Sequence, residues 1–569
     1  MKIKYRAALV HLVLIALSLS LSTPVPARPR KYFSDQSPTS PSATPKASPT
    51  APPSPAAQTP SPSPSPTPQV ISRAGISTRS LAELQSRIRE VLQKPELSSA
   101  LVAVKVASLD SGRVIFEENA TKLLRPASNM KLYTIATALD RLTPEFRFTT
   151  SAYANTVPDA GGVLRGDLTI LGRGDPSLAA RFNNGDYFKG VDDLASKIVA
   201  AGVKRIEGNL VGDESYFVGP QYGSGWEWED LTWYYGAEIS PLTINDNALD
   251  LFIKPGPAVG SVATITTGPP DPLLTITNQV VTAGKGTRRS ITVYRGLGKD
   301  TVVISGSIPI DDRGYTGGIG ISHPAMLFIY LLRSALSKQG VVVTGKSSVL
   351  SPADHRATPS LSLNKLTAES VSKPSTVPVE IATLQSPPFS RIAAQTLKPS
   401  QNLYTELILR TLGKSQAATP TAGSETSEEL GIEAVKNFLR TVGIRTESLV
   451  LNDGSGLSRN DMITADASVQ LLTFMSKHRY TDVFRDALPI AGVDGTLRNR
   501  FRGTPAEGNL RAKTGSLSSA ASLSGYVTSA AGEHLVFSIM VNNFPSDVEP
   551  RLVCIDPIAV LLASFSGRS

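Results

Sequence analysis

The pattern of apolar residues changes twice along the 569-residue chain, and this change constrains the fold most strongly. Apolar residues recur at helical spacing towards both ends, for example in Leu81–Leu92 and Glu429–Val442. Between Thr149 and Pro352, in contrast, short β-branched segments alternate with Gly, Pro and Asp turns, which is typical of β-rich domains. Within that stretch, Ala325–Leu336 has helical spacing. We therefore predict an α+β domain that is interrupted by a long β-rich insertion.

The outer parts of the chain supply the elements of the interrupted domain. The expected helices are Leu81–Leu92, Ser128–Leu142, Asn402–Leu412, Glu429–Val442 and Ala465–His478. The expected strands are Leu101–Ala107, Arg113–Glu117, Gly508–Lys513, Ala521–Val527 and His534–Val541. A hairpin that runs into a helix suggests an antiparallel sheet flanked by helices. The predicted boundaries are 77–142 for the first part of this domain, 143–357 for the insertion and 358–569 for the second part.

Residues 1–27 have the outline of a secretory signal peptide. Three basic residues precede an apolar run that ends near Ser22, and Val25–Ala27 offers small residues to a signal peptidase. The apolar run is shorter than the ~20 residues that a membrane-spanning helix needs, which disfavours an uncleaved anchor. We therefore expect an exported protein of the periplasm or extracytoplasmic cell envelope, peripheral at most to the membrane.

Residues 28–76 are predicted to be a disordered linker. The segment 38–68 holds 12 of the 42 prolines, interleaved with Ser, Thr and Ala, and such a composition cannot bury a core. The leader and linker also account for most of the net charge of +9, because residues 1–76 carry eight Lys or Arg and one acid. The remaining charge of about +2 does not support a nucleic-acid-binding surface, so we expect no nucleic-acid partner.

Cysteine and histidine usage limits the chemistry further. Cys554 is the single cysteine, so an internal disulfide is excluded, and it lies in an apolar segment where we expect it to be buried. The five histidines include no His-Glu-x-x-His pair, which argues against a zinc hydrolase. Neither a Gly-x-Ser-x-Gly elbow nor a phosphate-binding Gly-rich loop is present. We expect no metal ion at the site.

Ser128 and Lys131 form a Ser-x-x-Lys motif at the start of a predicted helix. Positions i and i+3 share a helix face, so the amine lies close to the hydroxyl, as in serine acyl-transfer centres. The same spacing occurs at Ser362–Lys365 and Ser370–Lys373, and the alternative is that Ser128 only caps the helix. Of the three serines, Ser128 alone opens a long segment of helical apolar spacing, which favours the functional interpretation.

Two further motifs complete a catalytic constellation. Ser400-Gln401-Asn402, at the start of a predicted helix, supplies a second proton-relay group. Lys513-Thr514-Gly515 occurs once, at the predicted end of a strand, where a lysine can reach across a cleft. Gly515 is expected to avoid a side chain where substrate approaches the backbone. The three motifs in this order are far more specific than any one of them.

With these motifs, the chain resembles the low-molecular-mass penicillin-binding proteins of the D-Ala-D-Ala carboxypeptidase/endopeptidase family, peptidase family S13. The stretches that carry the resemblance are Leu124–Thr134, Ser400–Glu406, Asn452–Asp461, Ala491–Leu497 and Ala512–Leu517. The resemblance implies a penicillin-binding/β-lactamase-like transpeptidase domain. It also implies peptidoglycan stem peptides as substrates and β-lactam antibiotics as covalent inhibitors. Gln401 departs from the wider superfamily, where aspartate is common.

The resemblance assigns roles to the motif residues. Ser128 would attack the D-Ala-D-Ala peptide bond, with Lys131 as a base whose pKa is lowered by burial and by Lys513. Ser400 would pass the proton to the leaving amine, and Asn402 would orient Lys131 or the substrate. Lys513 and Thr514 would hold the terminal carboxylate of the substrate, with Gly515 and Ser516 also at the substrate-binding site. The backbone N–H groups of Ser128 and Ser516 would form the oxyanion hole. No metal or organic cofactor is needed.

Two other functions stay open at this point. A serine β-lactamase shares the three motifs but usually needs a dedicated acid, such as a loop glutamate, and the sequence offers no clear candidate. A non-catalytic wall-binding or sensor protein would not need all of the motif residues intact. The tryptophans Trp226, Trp228 and Trp233 in the insertion are compatible with stacking on a sugar ring or with a core or lid role.

Overall fold

The computed structural model describes residues 78–351, 378–416 and 425–569. The predicted signal peptide and linker lie outside these ranges. The two competing motifs, Ser362–Lys365 and Ser370–Lys373, also lie outside the described residues.

Helices occur at both ends of the chain and within the insertion. The α-helices of the described ranges are α1 (Leu81–Leu92), α2 (Met130–Leu142), α3 (Lys189–Ala200), α4 (Pro324–Lys338), α5 (Phe389–Leu397), α6 (Asn402–Gln416), α7 (Ser427–Val442), α8 (Ala465–Met475), α9 (Thr481–Ala487) and α10 (Asp556–Ser564). Local capping sets several of these bounds. Ser80 Oγ accepts a hydrogen bond from the Glu83 N–H at the start of α1, and Gly443 ends α7 in the left-handed region.

The strands of the described residues form five sheets. They are β1 (Leu101–Ser108), β2 (Val114–Glu118), β3 (Thr149–Ala154), β4 (Val163–Arg165), β5 (Leu168–Leu171), β6 (Arg205–Glu207), β7 (Leu210–Asp213), β8 (Ala248–Lys254), β9 (Thr264–Gly268), β10 (Thr275–Ala283), β11 (Ser290–Arg295), β12 (Thr301–Pro309), β13 (Tyr315–Gly320), β14 (Val342–Val343), β15 (Ser347–Leu350), β16 (Val379–Gln385), β17 (Arg511–Leu517), β18 (Ala520–Thr528) and β19 (His534–Asn542).

One antiparallel sheet joins the two ends of the chain. Its strand order is β17-β18-β19-β1-β2, and β1 pairs with β19 from Leu101↔Asn542 to Ser108↔Leu535. Alternate residues of β1 enter different cores, because successive strand side chains point to opposite faces. Val104 packs with residues of α1 and α10, whereas Ala103 packs with residues of α2 and α8. The predicted α+β fold, an antiparallel sheet flanked by helices, is confirmed.

The insertion has a core of its own. It contains the sheets β15-β7-β5-β3-β16, β14-β6-β4, β13-β8-β9 and β10-β12-β11, together with α3 and α4. The helical spacing of Ala325–Leu336 is confirmed by α4. The predicted boundary at residue 357 falls outside the described residues, and β16 pairs with β3, so the inserted sheet continues to Gln385. None of the helices in the described ranges combines the length and the apolar character that a membrane span requires.

The helix predicted from about Ser128 to Leu142 is confirmed, with a single 3-10 turn, Ala127–Asn129, that leads into α2 at Met130. The prediction that Lys513-Thr514-Gly515 lies at the end of a strand is wrong, because the motif lies in the middle of β17. The strand continues beyond the motif because its pairing with β18 extends to Leu517↔Ala520.

Candidate active site

Ser128 lies on a strained turn, not at a helix cap. Ala127 adopts a φ of 47°, in the left-handed region that residues with a Cβ rarely occupy, and no side chain of the turn caps α2. The turn is held from outside. A Cβ on Gly456 would lie 1.9 Å from the Ala127 carbonyl oxygen, so the glycine backbone fills that space. The turn leaves Ser128 half-buried at the surface of the site.

Lys131 is fully buried one turn further along α2. Its Nζ lies 3.0 Å from Ser128 Oγ, 2.6 Å from Asn402 Oδ1 and 2.7 Å from the Ser455 carbonyl oxygen. The Asn402 side chain is oriented by its other end, because Nδ2 donates to the Tyr235 carbonyl at 2.8 Å. The lysine is therefore held between one hydroxyl and two carbonyl oxygens.

Burial lowers the pKa of Lys131 to about 7. The carboxylates Asp453, Glu406 and Asp461 act in the opposite direction and limit this fall of the pKa. The predicted contribution of Lys513 takes a different form. Burial lowers the pKa of Lys513 well below its ordinary value, and the charge of Lys131 lowers it further. Protonation of both buried amines at the same time is therefore unfavourable.

The second and third motifs meet at Ser400. This residue has a φ of 66° and precedes α6, which carries Asn402. Lys513 Nζ donates to Ser400 Oγ at 2.8 Å and to the Thr514 carbonyl at 2.9 Å. Lys131 thus binds Ser128 and Asn402, whereas Lys513 binds Ser400, which is two residues before Asn402 in the sequence.

Strand β17 packs directly against the Ser128 turn. Asn129 Nδ2 donates to the Lys513 carbonyl at 3.1 Å and to Ser522 Oγ at 2.7 Å. A Cβ on Gly515 would lie 2.2 Å from Ser522 Oγ and 2.6 Å from the Pro126 carbonyl oxygen. Contact between the strand and the turn therefore requires the glycine, and the expectation that Gly515 also makes room for substrate stays a prediction.

The third motif is buried, and the residue that follows it is exposed. Thr514 Oγ1 donates to Thr496 Oγ1 at 2.8 Å, and Ser516, two residues further along β17, is exposed. Among the described residues, no group of three or more His, Cys, Asp or Glu side chains is arranged to hold a metal ion.

Several buried residues around Lys131 were not singled out from the sequence. They belong to the loop Asp453–Ser458 and to α6, where Glu406 and Asp453 are fully buried. The signal was present in Asn452–Asp461, one of the stretches that carry the family resemblance. A short run of Asp, Gly and Ser is also typical of ordinary turns, so its chemistry is visible only in three dimensions.

The tryptophan cluster separates into different roles. Trp226 Nε1 donates to Asp453 Oδ2 at 2.9 Å, which ties the insertion to the loop behind Lys131. Trp233 is partly buried against the insertion core, and Trp228 is 56% exposed. A structural role is therefore clear for Trp226 and Trp233.

Comparisons with known proteins identify the family of this chain. The model of the D-Ala-D-Ala carboxypeptidase 3 (S13) family matches residues 84–364 and 363–564. The D-alanyl-D-alanine carboxypeptidase of Actinomadura sp. (strain R39) is 33% identical over 507 residues, which cover 87% of this chain and 87% of that protein. The penicillin-sensitive carboxypeptidase A of Dictyostelium discoideum is 27% identical, over 79% of this chain and 84% of its own length.

The fold has a counterpart among solved structures. The crystal structure of penicillin binding protein 4 from Haemophilus influenzae superposes with a TM-score of 0.69 at 23% identity, covering 84% of this chain and 99% of that one. This likeness confirms the predicted penicillin-binding-protein fold. Together with the family match over most of its length, it shows that the chain belongs to the D-Ala-D-Ala carboxypeptidase 3 (S13) family.

Proposed function

We propose that this protein is a serine D-Ala-D-Ala carboxypeptidase that acts on peptidoglycan stem peptides through an acyl-enzyme on Ser128. Membership of the S13 family and the names of its relatives support the activity. The observation that carries the proposal is the 3.0 Å contact between Lys131 Nζ and Ser128 Oγ, with the amine fully buried.

The partners of Lys131 fit the neutral amine that a base requires. Asn402 Oδ1 and the Ser455 carbonyl can only accept hydrogen bonds, so a neutral amine uses both of its N–H groups on them. Its lone pair then faces Ser128 Oγ, the remaining partner. Burial, which lowers the pKa of Lys131 to about 7, makes the neutral amine available near neutral pH.

The acyl transfer follows from these positions. Ser128 Oγ bonds to the carbonyl carbon between the two D-Ala residues while its proton passes to Lys131. The carbon–nitrogen bond then breaks, and Ser400 relays a proton to the departing amine of the terminal D-Ala. Water hydrolyses the resulting ester and regenerates Ser128. The backbone N–H groups of Ser128 and Ser516 would stabilise the oxyanion, where loss of one donor typically costs ~10²–10³ in rate.

Lys513 and Thr514 would bind the terminal carboxylate of the substrate. Burial of the Lys513 amine disfavours its charge in the free enzyme, and an incoming carboxylate favours that charge again. Binding of an anionic C-terminus and protonation of Lys513 are therefore coupled. This coupling favours substrates that end in a free carboxylate, as a stem peptide ending in D-Ala does.

β-Lactams, which resemble the acyl donor, would acylate Ser128 in the same way. We also propose that the protein is exported to the periplasm or extracytoplasmic envelope, where its substrate lies, on the basis of the leader sequence. An endopeptidase mode, with a cross-linked residue after the penultimate D-Ala, uses the same residues. Mass spectrometry of muropeptide products would separate the modes, because loss of one D-Ala and cleavage of a cross-link give different masses.

Nitrocefin turnover tests the proposal against a β-lactamase. The carboxypeptidase is expected to give one acylation of Ser128 followed by slow hydrolysis. Sustained fast turnover of nitrocefin would overturn the proposed function, and absence of D-Ala release from a D-Ala-D-Ala peptide would do so as well.

A further inference from the structure

Two buried carboxylates lie behind Lys131, and the proposed acyl transfer does not use either of them. Glu406 is on α6, one turn after Asn402, and Asp453 begins the loop Asp453–Ser458. Both side chains are fully buried. Burial of a charged group costs much free energy unless the group is fully hydrogen-bonded. The hydrogen-bond partners of these two acids therefore indicate what they do in the structure.

Glu406 binds the backbone of the loop. Its Oε1 accepts from the N–H groups of Gly454 at 3.0 Å and Ser455 at 2.9 Å. Its Oε2 accepts from Arg410 at 3.1 Å. Burial raises the pKa of Glu406, as does Asp453, but both oxygens face donors and leave no acceptor for a carboxyl proton. These donors and the charge of Arg410 favour the anion against the effect of burial.

Asp453 closes the loop on itself. Its Oδ1 accepts from the Gly456 N–H at 2.6 Å. Its Oδ2 accepts from the Ser458 N–H at 2.9 Å, from Ser455 Oγ at 3.0 Å and from Trp226 Nε1 at 2.9 Å. The same carboxylate thus fixes the loop and connects it to the insertion.

These contacts meet at Ser455. Its N–H is bound to Glu406, its hydroxyl to Asp453, and its carbonyl oxygen accepts from Lys131 Nζ at 2.7 Å. We propose that Glu406 and Asp453 are positioning residues that aim the Ser455 carbonyl at Lys131 and so direct the free position of the amine towards Ser128. The inference rests on the proposed function, in which Lys131 is the base.

The charges around the lysine give the inference a second consequence. Asp453, Glu406 and Asp461 raise the pKa of Lys131 against the effect of burial, and Lys513 is the neighbouring amine, whose own charge burial disfavours. Removing the charge of Glu406 should therefore lower the pKa of Lys131. Glu406→Gln would also leave the buried Arg410 with one carboxylate partner fewer. The unbalanced positive charge of Arg410 would lower the pKa of Lys131 as well.

The test compares Glu406→Gln with Glu428→Gln. Glu428 is also buried and lies 3.5 Å from Arg410, but among the described residues no hydrogen bond joins it to the loop Asp453–Ser458. Glu428→Gln therefore controls for the effect of Arg410, and its pH profile should move less than that of Glu406→Gln. The dependence of kcat/KM for D-Ala release on pH would be measured for both. In Glu406→Gln we expect the acidic limb to move to lower pH by about 0.5 unit or more. The maximal rate should fall roughly 10- to 100-fold.

A milder pair of variants covers the case in which Glu406→Gln does not fold. Ser455→Ala removes the hydroxyl that binds Asp453 but keeps the N–H and carbonyl groups. Ser468→Ala removes an equally buried hydroxyl, which contacts Tyr133. We expect kcat to fall about 3- to 10-fold in Ser455→Ala with little change in KM, and both constants to be retained in Ser468→Ala.

The outcomes separate this inference from the proposed function. The inference is overturned if the acidic limb of the pH profile of Glu406→Gln coincides with that of the wild type, because the role of Glu406 is then purely structural. If Glu406→Gln does not fold, an unchanged kcat in Ser455→Ala overturns the inference instead. In that case the wild type would still release D-Ala and Ser128→Ala would not. If the wild type released no D-Ala, the proposed function itself would fail.

Discussion

Lys131 Nζ donates to Asn402 Oδ1 at 2.6 Å, although the two residues are 271 positions apart in the sequence. Rotating the Asn402 amide by half a turn would break a hydrogen bond, because its Nδ2 donates to the Tyr235 carbonyl of the insertion. The insertion therefore takes part in the site: it sets which end of Asn402 faces the lysine. A flipped amide would place two N–H groups against Lys131 and remove one of its two obligate acceptors.

Asn402→Asp should move the acidic limb of kcat/KM for D-Ala release to higher pH. A carboxylate beside Lys131 favours the protonated amine and raises its pKa, by about one unit or more at this contact distance. The base is then unavailable over a wider pH range. Asn437→Asp, an exposed change on α7, should leave the profile as it is. An acidic limb that stays in place or moves to lower pH in Asn402→Asp would contradict this role.

The wild-type enzyme should gain activity through pH 7. A proton acceptor must be neutral, and burial lowers the pKa of Lys131 to about 7, so acylation is lost below that pH and develops fully above it. The second-order rate of β-lactam acylation, measured from pH 5 to 9, reports the free enzyme directly. A limb near the ordinary lysine value of about 10.4 would show that burial does not control this amine.

Gly515→Ala should separate β17 from the turn that carries Ser128. The added Cβ would meet Ser522 Oγ at 2.2 Å and the Pro126 carbonyl at 2.6 Å, and backbone cannot move aside cheaply. We expect a loss of about 1–3 kcal/mol in the free energy of unfolding, measured with urea, and slower β-lactam acylation. The matched control is Gly284→Ala, where the nearest atom lies at 3.8 Å. Equal stability of the two variants would argue against tight contact at Gly515.

Thr514→Val tests the carboxylate clamp. The change keeps the volume but removes the hydroxyl, so a peptide with a free C-terminal carboxylate should show a KM raised about 10-fold. The same peptide with a C-terminal amide, which lacks the charge, should be affected much less. Thr411→Val, a buried change on α6, serves as the control for volume and burial. An equal effect on both peptides would remove Thr514 from carboxylate recognition.

The motif residues were predictable because chemistry restricts their types and order. A Ser-x-x-Lys pair on a helix face, followed by Ser400-Gln401-Asn402 and a single Lys513-Thr514-Gly515, leaves few alternative interpretations. The hairpin, the C-terminal strands and α4 were also predictable, because apolar periodicity reports which side chains enter a core.

Other features depend on contacts that no local pattern records. The strained turn at Ala127 exists because Gly456, more than 300 positions away, lets the two backbones touch. In the sequence, Glu406 is one polar residue of a predicted helix. Its contact with the loop at Asp453 depends on the position of α6 in the fold. The role of Trp226 likewise follows from its partner and not from its aromatic neighbours.

The central claim is that Ser128 is the nucleophile of a D-Ala-D-Ala carboxypeptidase. The most direct measurement is release of D-Ala from a D-Ala-D-Ala-terminated peptide by wild type and Ser128→Ala, with mass spectrometry of the wild-type protein after exposure to a β-lactam. We predict that Ser128→Ala lowers kcat by about 10⁴-fold or more and that the β-lactam adduct maps to Ser128. Undiminished D-Ala release by Ser128→Ala, or an adduct on another residue, would contradict the account.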